Sequence, residues 1–143
     1  MGKLVGPVAY VLGVLMIVGG IVTWWQVSDQ LSAEAITVPD DANCQAGADV
    51  SGPYSAYCMA DIINHHALNA TEGKTYAQLD RDDPLRATAM NASFLRSSLF
   101  TSVVAFGLAG MAIAVGVLFV LLGGAVASYE KRFTELGAGA STG

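Results

Sequence analysis

Charge is what this sequence has least of where a membrane transporter needs it most. From Ser97 to Ser128 the chain runs thirty-two residues without one Asp, Glu, Lys, Arg or His, and Leu4 to Trp25 is a second uncharged run of twenty-two. Transporters and proton relays carry an ionisable residue at membrane depth. Buried haem requires His or Met ligation, and the runs hold no His, only Met16 and Met111. These absences argue against a pump, channel or cytochrome acting alone, and no cofactor is expected. Histidine occurs only as the adjacent pair His65 and His66, and cysteine only as Cys44 and Cys58. There is no C-x-x-C motif, no glycine-rich phosphate loop and no Ser-His-Asp or Cys-His arrangement, so nothing in the chain reads as an enzyme or as a small-molecule substrate site.

What is present is apolar length. About 20 helical residues cross a bilayer's hydrocarbon core, and a helix apolar on every face belongs in lipid or deep in a protein. Both runs are long enough, which predicts an all-α membrane protein: a two-transmembrane helical hairpin with membrane lipids as its surroundings. Lys3 and the Ala33-Glu34-Ala35 triplet give the first run some look of a cleaved signal, but its apolar stretch is too long for that. Trp24 and Trp25 are expected as interface anchors, since amphipathic rings settle at the headgroup level.

Between the runs, Gln26 to Arg96 carries ten acidic residues against four basic ones (Lys74, Arg81, Arg86 and Arg96), a net charge of −6. That argues against nucleic acid and against anionic lipid as partners of this segment, because both need clustered Lys and Arg. The positive-inside rule is little guide across a connection this long. The cysteines decide orientation instead: two of them, thirteen residues between, suit an oxidising compartment. The expectation is a plasma-membrane, multi-pass protein with both termini cytoplasmic and residues 36–83 outside as a small helical, disulfide-stapled extracytoplasmic cap. Zinc held by both cysteines and both histidines would need a spacing that fits no usual template.

Four regions follow: 1–35, a first transmembrane helix with an outward extension; 36–83, the cap; 84–130, a long helix containing the second span; and 131–143, a flexible cytoplasmic tail. Within the cap, Ile36–Pro39 reads as extended and residues 40–53 as irregular. Ser51-Gly52-Pro53 starts a helix reaching Ala70, stopped near Thr71-Glu72-Gly73. Tyr54, Tyr57, Cys58, Ile62 and Leu68 are expected near one side of it. Thr75–Asp80 adds a turn, and Asp83 caps a helix with Pro84 at its first position, continuing to about Ser128. Leu85, Ala89, Ala92, Phe94 and Leu95 are expected to face the other cap helices.

Small residues form stripes in the spans: Gly6, Gly13 and Gly20 in the first, and Ala105, Ala109, Ala112, Gly116 and Gly123 in the second. Such residues let helix backbones approach closely in lipid, so they are the expected packing faces, toward each other or toward a partner. Asp61, His65 and His66 are subsidiary metal candidates: Asp61 and His65 stand i, i+4, but two adjacent imidazoles diverge by about 100° on a helix. Asn69-Ala-Thr71 and Asn91-Ala-Ser93 fit a glycosylation sequon, relevant only in a eukaryotic secretory pathway.

The words ADIINHHAL, GKTYAQLDRDDP and NASFLRSSLFTSVVAFG, within Ile36 to Met111, resemble a family of small actinobacterial membrane proteins often labelled aromatic ring-opening dioxygenase subunits. Non-haem iron chemistry of that kind wants two histidines and a carboxylate on one metal, which an adjacent pair does not supply. In size and type the chain is also similar to accessory subunits of the actinobacterial respiratory supercomplex, which joins a cytochrome bc complex to a cytochrome c oxidase. That likeness implies a non-catalytic accessory or association factor whose partners are other integral membrane subunits. Two other readings are an extracytoplasmic metal-binding or metal-dependent enzyme subunit, and a cell-envelope membrane protein that self-associates through its glycines.

Overall fold

The computed structural model describes residues 4–140, with side chains through Phe133. Among the described residues the chain is all-helical, with three α-helices: α1 (Val5–Ala33), α2 (Pro53–Ala70) and α3 (Arg86–Ala140). Helices α1 and α3, the latter over Arg86–Phe133, are long and apolar enough to cross a membrane. The chain divides into two compact units, one of residues 1–23 with 108–143 and one of residues 24–107.

In the first unit two helical segments run antiparallel. Pro7 sits in the first turn of α1, where its missing N–H has no intrahelical partner to lose. Segment 108–140 of α3 contains no proline, and the helix does not stop at Ser128. It continues through residues 131–140, where a flexible tail was expected; the intervening Glu-Lys-Arg-Phe-Thr-Glu-Leu sequence holds good helix formers and no breaker. Residues 141–143 of that expected tail, like Lys3, lie outside the described residues. Most of the side-chain surface of this unit is apolar and exposed, including Val8, Leu15, Val22, Leu118, Leu121 and Leu122.

The second unit has a small core of Leu31, Val38, Val50, Ala56, Cys58, Ala60, Leu99 and Phe106. After α1 ends, Ala35 takes a positive φ of 49° and the chain turns. Residues 36–50 then fold back on themselves. Val50 N–H donates to the Ile36 carbonyl and Val38 N–H to that of Ala48, each at 2.9 Å, around a bridge between Thr37 and Asp49. This pairing drives Val38 and Val50 inward, both nearly inaccessible.

Helix α2 begins as its sequence dictates, with Pro53 in the first turn and the Ser55 hydroxyl accepting from the Gly52 N–H at 3.2 Å. It ends at Thr71, and Gly73 supplies the left-handed turn (φ 80°) while its N–H donates to Leu68 O at 2.7 Å. The inward side of α2 is made of Ser55, Ala56, Cys58, Ala60 and Ile62, whereas Tyr54 and Tyr57 are exposed rather than packed with them. A 3₁₀ turn at Tyr76–Gln78 follows. Asp83 then accepts from the Leu85 N–H at 2.8 Å, and Arg86 N–H donates to Asp83 O, so the chain from Pro84 turns tightly before regular α-helix begins at Arg86.

The expected inward face of α3 needs a correction. Ala89 and Leu99 are buried and Ala92, Arg96 and Val103 half-buried, a three–four rhythm that ends on Phe106. Phe94 and Leu95 fall off that rhythm and are exposed, Phe94 at 66%. The three–four rhythm from Ala89 to Phe106, rather than the size of each side chain, sets which face is buried.

Candidate functional site

The tightest backbone approach lies in the first unit. A Cβ placed on Gly13 would meet the Gly116 carbonyl oxygen at 2.5 Å and Val120 N at 2.8 Å. One on Gly20 would meet Ala109 O at 2.7 Å, and one on Gly123 would meet Gly6 O at 2.7 Å. A Cβ on Gly6 would lie 3.1 Å from Ala127 N. These three crossings lie two helical turns apart, which is why the spacing of seven in α1 matters. Ala109 is buried at the seam, and Ala112 is half-buried beside it. Ala105, in the second unit, is half-buried. Gly19 and Gly124 point into open space.

The tryptophans separate in role. Trp24 meets Phe106 edge to face, centroids 4.8 Å apart, which fixes its ring against the core of the second unit. Trp25 is 68% exposed.

Cys44 and Cys58 form a disulfide with Cα atoms 5.6 Å apart. It ties the 36–50 loop to the buried side of α2. A second tie joins the same two elements, because His66 Nε2 donates to Asp41 Oδ2 at 2.6 Å. A carboxylate offers only acceptors, so the shared proton belongs to the imidazole. That hydrogen bond holds the Asp41 carboxyl below its ordinary value. No local pattern signals this pair, since its members stand twenty-five positions apart and one lies in an irregular loop.

The metal candidates do not converge. His65 and His66 have ring centroids 6.3 Å apart, Asp61 is exposed, and His66 turns toward Asp41 instead. Among the described residues no three His, Cys, Asp or Glu side chains are placed to hold a metal ion.

Sequence reasoning missed the surroundings of Tyr76. Arg86 lies over its ring, with the guanidinium carbon 4.1 Å from the centroid, and also donates through Nη1 to Leu79 O. Tyr76 also borders a cleft of about 50 Å³, lined by Asn64, Leu68, Lys74, Ser93 and Arg96 among others. The Nε of Arg96 is buried there with no hydrogen-bond partner. No family model, curated protein or solved structure matches the chain.

Proposed function

We propose that the chain is a non-catalytic membrane accessory subunit: a two-span hairpin carrying an extracytoplasmic cap that joins a larger membrane complex. The observation that supports this most is the contrast between the two faces of α1. One is closed against α3 by glycine, while Val8, Leu15 and Val22 leave the other apolar and exposed. Apolar surface on this scale needs lipid or protein to cover it. In this reading residues 36–83 form the cap, both termini are cytoplasmic, and the Cys44–Cys58 disulfide supports an oxidising compartment for the cap. The uncharged spans give the chain no means of moving ions or electrons by itself. Its likeness in size and type to accessory subunits of the actinobacterial respiratory supercomplex makes the cytochrome bc–cytochrome c oxidase assembly the complex we propose.

Affinity purification of the tagged chain from native membranes in mild detergent, followed by mass spectrometry, tests the reading. Integral membrane subunits in near-stoichiometric amount are the expected result. A chain that purifies alone, or only with copies of itself, overturns it.

A further inference from the structure

The second unit is acidic, yet its cations are gathered rather than dispersed. Between Gln26 and Arg96 there are four basic residues and ten acidic ones. All four basic side chains line two clefts that share Tyr76. Lys74 and Arg96 border the first cleft, and Arg81 and Arg86 border the second, together with Asp83, Pro84 and Met90.

None of the four forms an ion pair among the described residues. Among the described residues, no carboxylate lies within 4 Å of Lys74, Arg81, Arg86 or Arg96. Asp83, the one acid lining either cleft, has Oδ1 engaged by the Leu85 N–H. Arg86 is held by Tyr76 and by Leu79 O, which presets its fork. The guanidinium of Arg96 lies 5.7 Å from the centroid of the Phe100 ring, and its buried Nε is without a partner.

We infer that these adjoining clefts dock an acidic segment of a partner protein, with one carboxylate seated between Lys74 and Arg96 and a neighbouring one on Arg81 and Arg86. The first cleft, at about 50 Å³, has room for a group the size of a carboxylate, since a water's share of liquid volume is about 30 Å³. Four cations spread over two clefts fit an extended run of acids better than one small ion. A lipid phosphate is out of reach on the membrane reading. Arg96 stands ten residues before Phe106 on α3, about 15 Å along the helix, and Phe106 is the ring on which the interface residue Trp24 packs. Headgroups extend only about 5–8 Å beyond the hydrocarbon. The inference rests on the accessory-subunit reading for the nature of the partner, but the clefts are testable without it.

The test uses the full chain in mild detergent and a short fluorescein-labelled peptide of alternating Asp, Glu and Ala, followed by fluorescence anisotropy. Binding that weakens with added salt is expected, with Arg96→Gln and Lys74→Gln each about tenfold weaker and Arg96→Lys intermediate. Lys74 is exposed, so its substitution leaves the fold intact and keeps the test valid if Arg96→Gln disturbs the helix. Equal binding by wild type and both Gln variants overturns the inference, as does equal binding of a Lys-Ala peptide. Full displacement of the peptide by millimolar inorganic phosphate would make this a small-oxyanion site instead, and displacement by phosphatidylglycerol vesicles a lipid site; either overturns the proposal. Affinity purification then separates the two readings. A partner kept by wild type and lost by Arg96→Gln supports both. A partner kept by both overturns the docking site alone, and no partner on wild type overturns the accessory role while the peptide titration still decides the clefts.

Discussion

Gly13 and Gly116 touch backbone to backbone. A Cβ on Gly13 would lie 2.5 Å from the Gly116 carbonyl oxygen, and a Cβ on Gly116 would lie 2.7 Å from that of Gly13. Neither contact is with a flexible side chain that can move aside, so the helices themselves must separate to admit a methyl group.

Gly13→Ala and Gly116→Ala are therefore expected to destabilise the helix pair by about 1–3 kcal/mol, the usual range for overpacking. Gly19→Ala, which meets nothing within 4 Å, is the matched control and is expected to be neutral or slightly stabilising, since alanine is the better helix former. Thermal unfolding in detergent, monitored by circular dichroism, distinguishes them. Equal effects at positions 13 and 19 would remove the seam from the account.

The disulfide closes a short loop in a unit with a small core. Cys44→Ala with Cys58→Ala should lower the stability of that unit by roughly 3 kcal/mol. Denaturant unfolding with and without reductant measures this. The double variant should be insensitive to reductant, and wild type should fall to meet it.

Thr71 is almost fully buried at the end of α2, where its hydroxyl donates to Ala67 O at 2.8 Å and also reaches Lys74 O. Thr71→Val keeps the shape and deletes the donor. The expected cost is about 1–3 kcal/mol for carbonyls left without it, read as a lower denaturation midpoint at unchanged slope. A variant of unchanged midpoint contradicts the assignment.

The Asp41–His66 tie gives a pH dependence of definite sign. The Asp41 carboxyl is held below its ordinary value near 3.8, chiefly by the His66 hydrogen bond. A depressed carboxylate stabilises the fold above 3.8 and loses that contribution as pH falls through the lower folded value. Protection of the 40–50 loop amides, taken relative to the unstructured exchange rate at each pH, should therefore fall below pH 3.8 in wild type, while Asp41→Asn should show the lower protection already at neutral pH without that acid step. Identical profiles would contradict the tie.

Local signals carried much of this fold into the sequence. Ser51-Gly52-Pro53 and Gly73 bound α2 because capping and left-handed turns depend on a few neighbouring residues. Asp83 announced the turn into α3 for the same reason. Side-chain phase was harder to read. Tyr54, Tyr57, Phe94 and Leu95 look like core by size, but they fall off the inner faces that Ala56, Ala60, Ala89, Leu99 and Phe106 occupy, and are exposed. Helix α3 persists through Gly137 and Gly139 because a glycine in a helix already propagating costs only about 1 kcal/mol relative to alanine. The gathering of four cations around Tyr76 has no linear signature, since it depends on a turn folding residues 74–86 back over α3.

The accessory role is tested most directly by a reduced-minus-oxidised haem spectrum of the affinity-purified chain, normalised to its own amount. The account predicts cytochrome bands at near-equimolar haem-bearing partner, although this chain's own spans contain no histidine to ligate haem. A sample that holds the full-length chain in mild detergent and shows no haem absorbance contradicts membership of the cytochrome supercomplex.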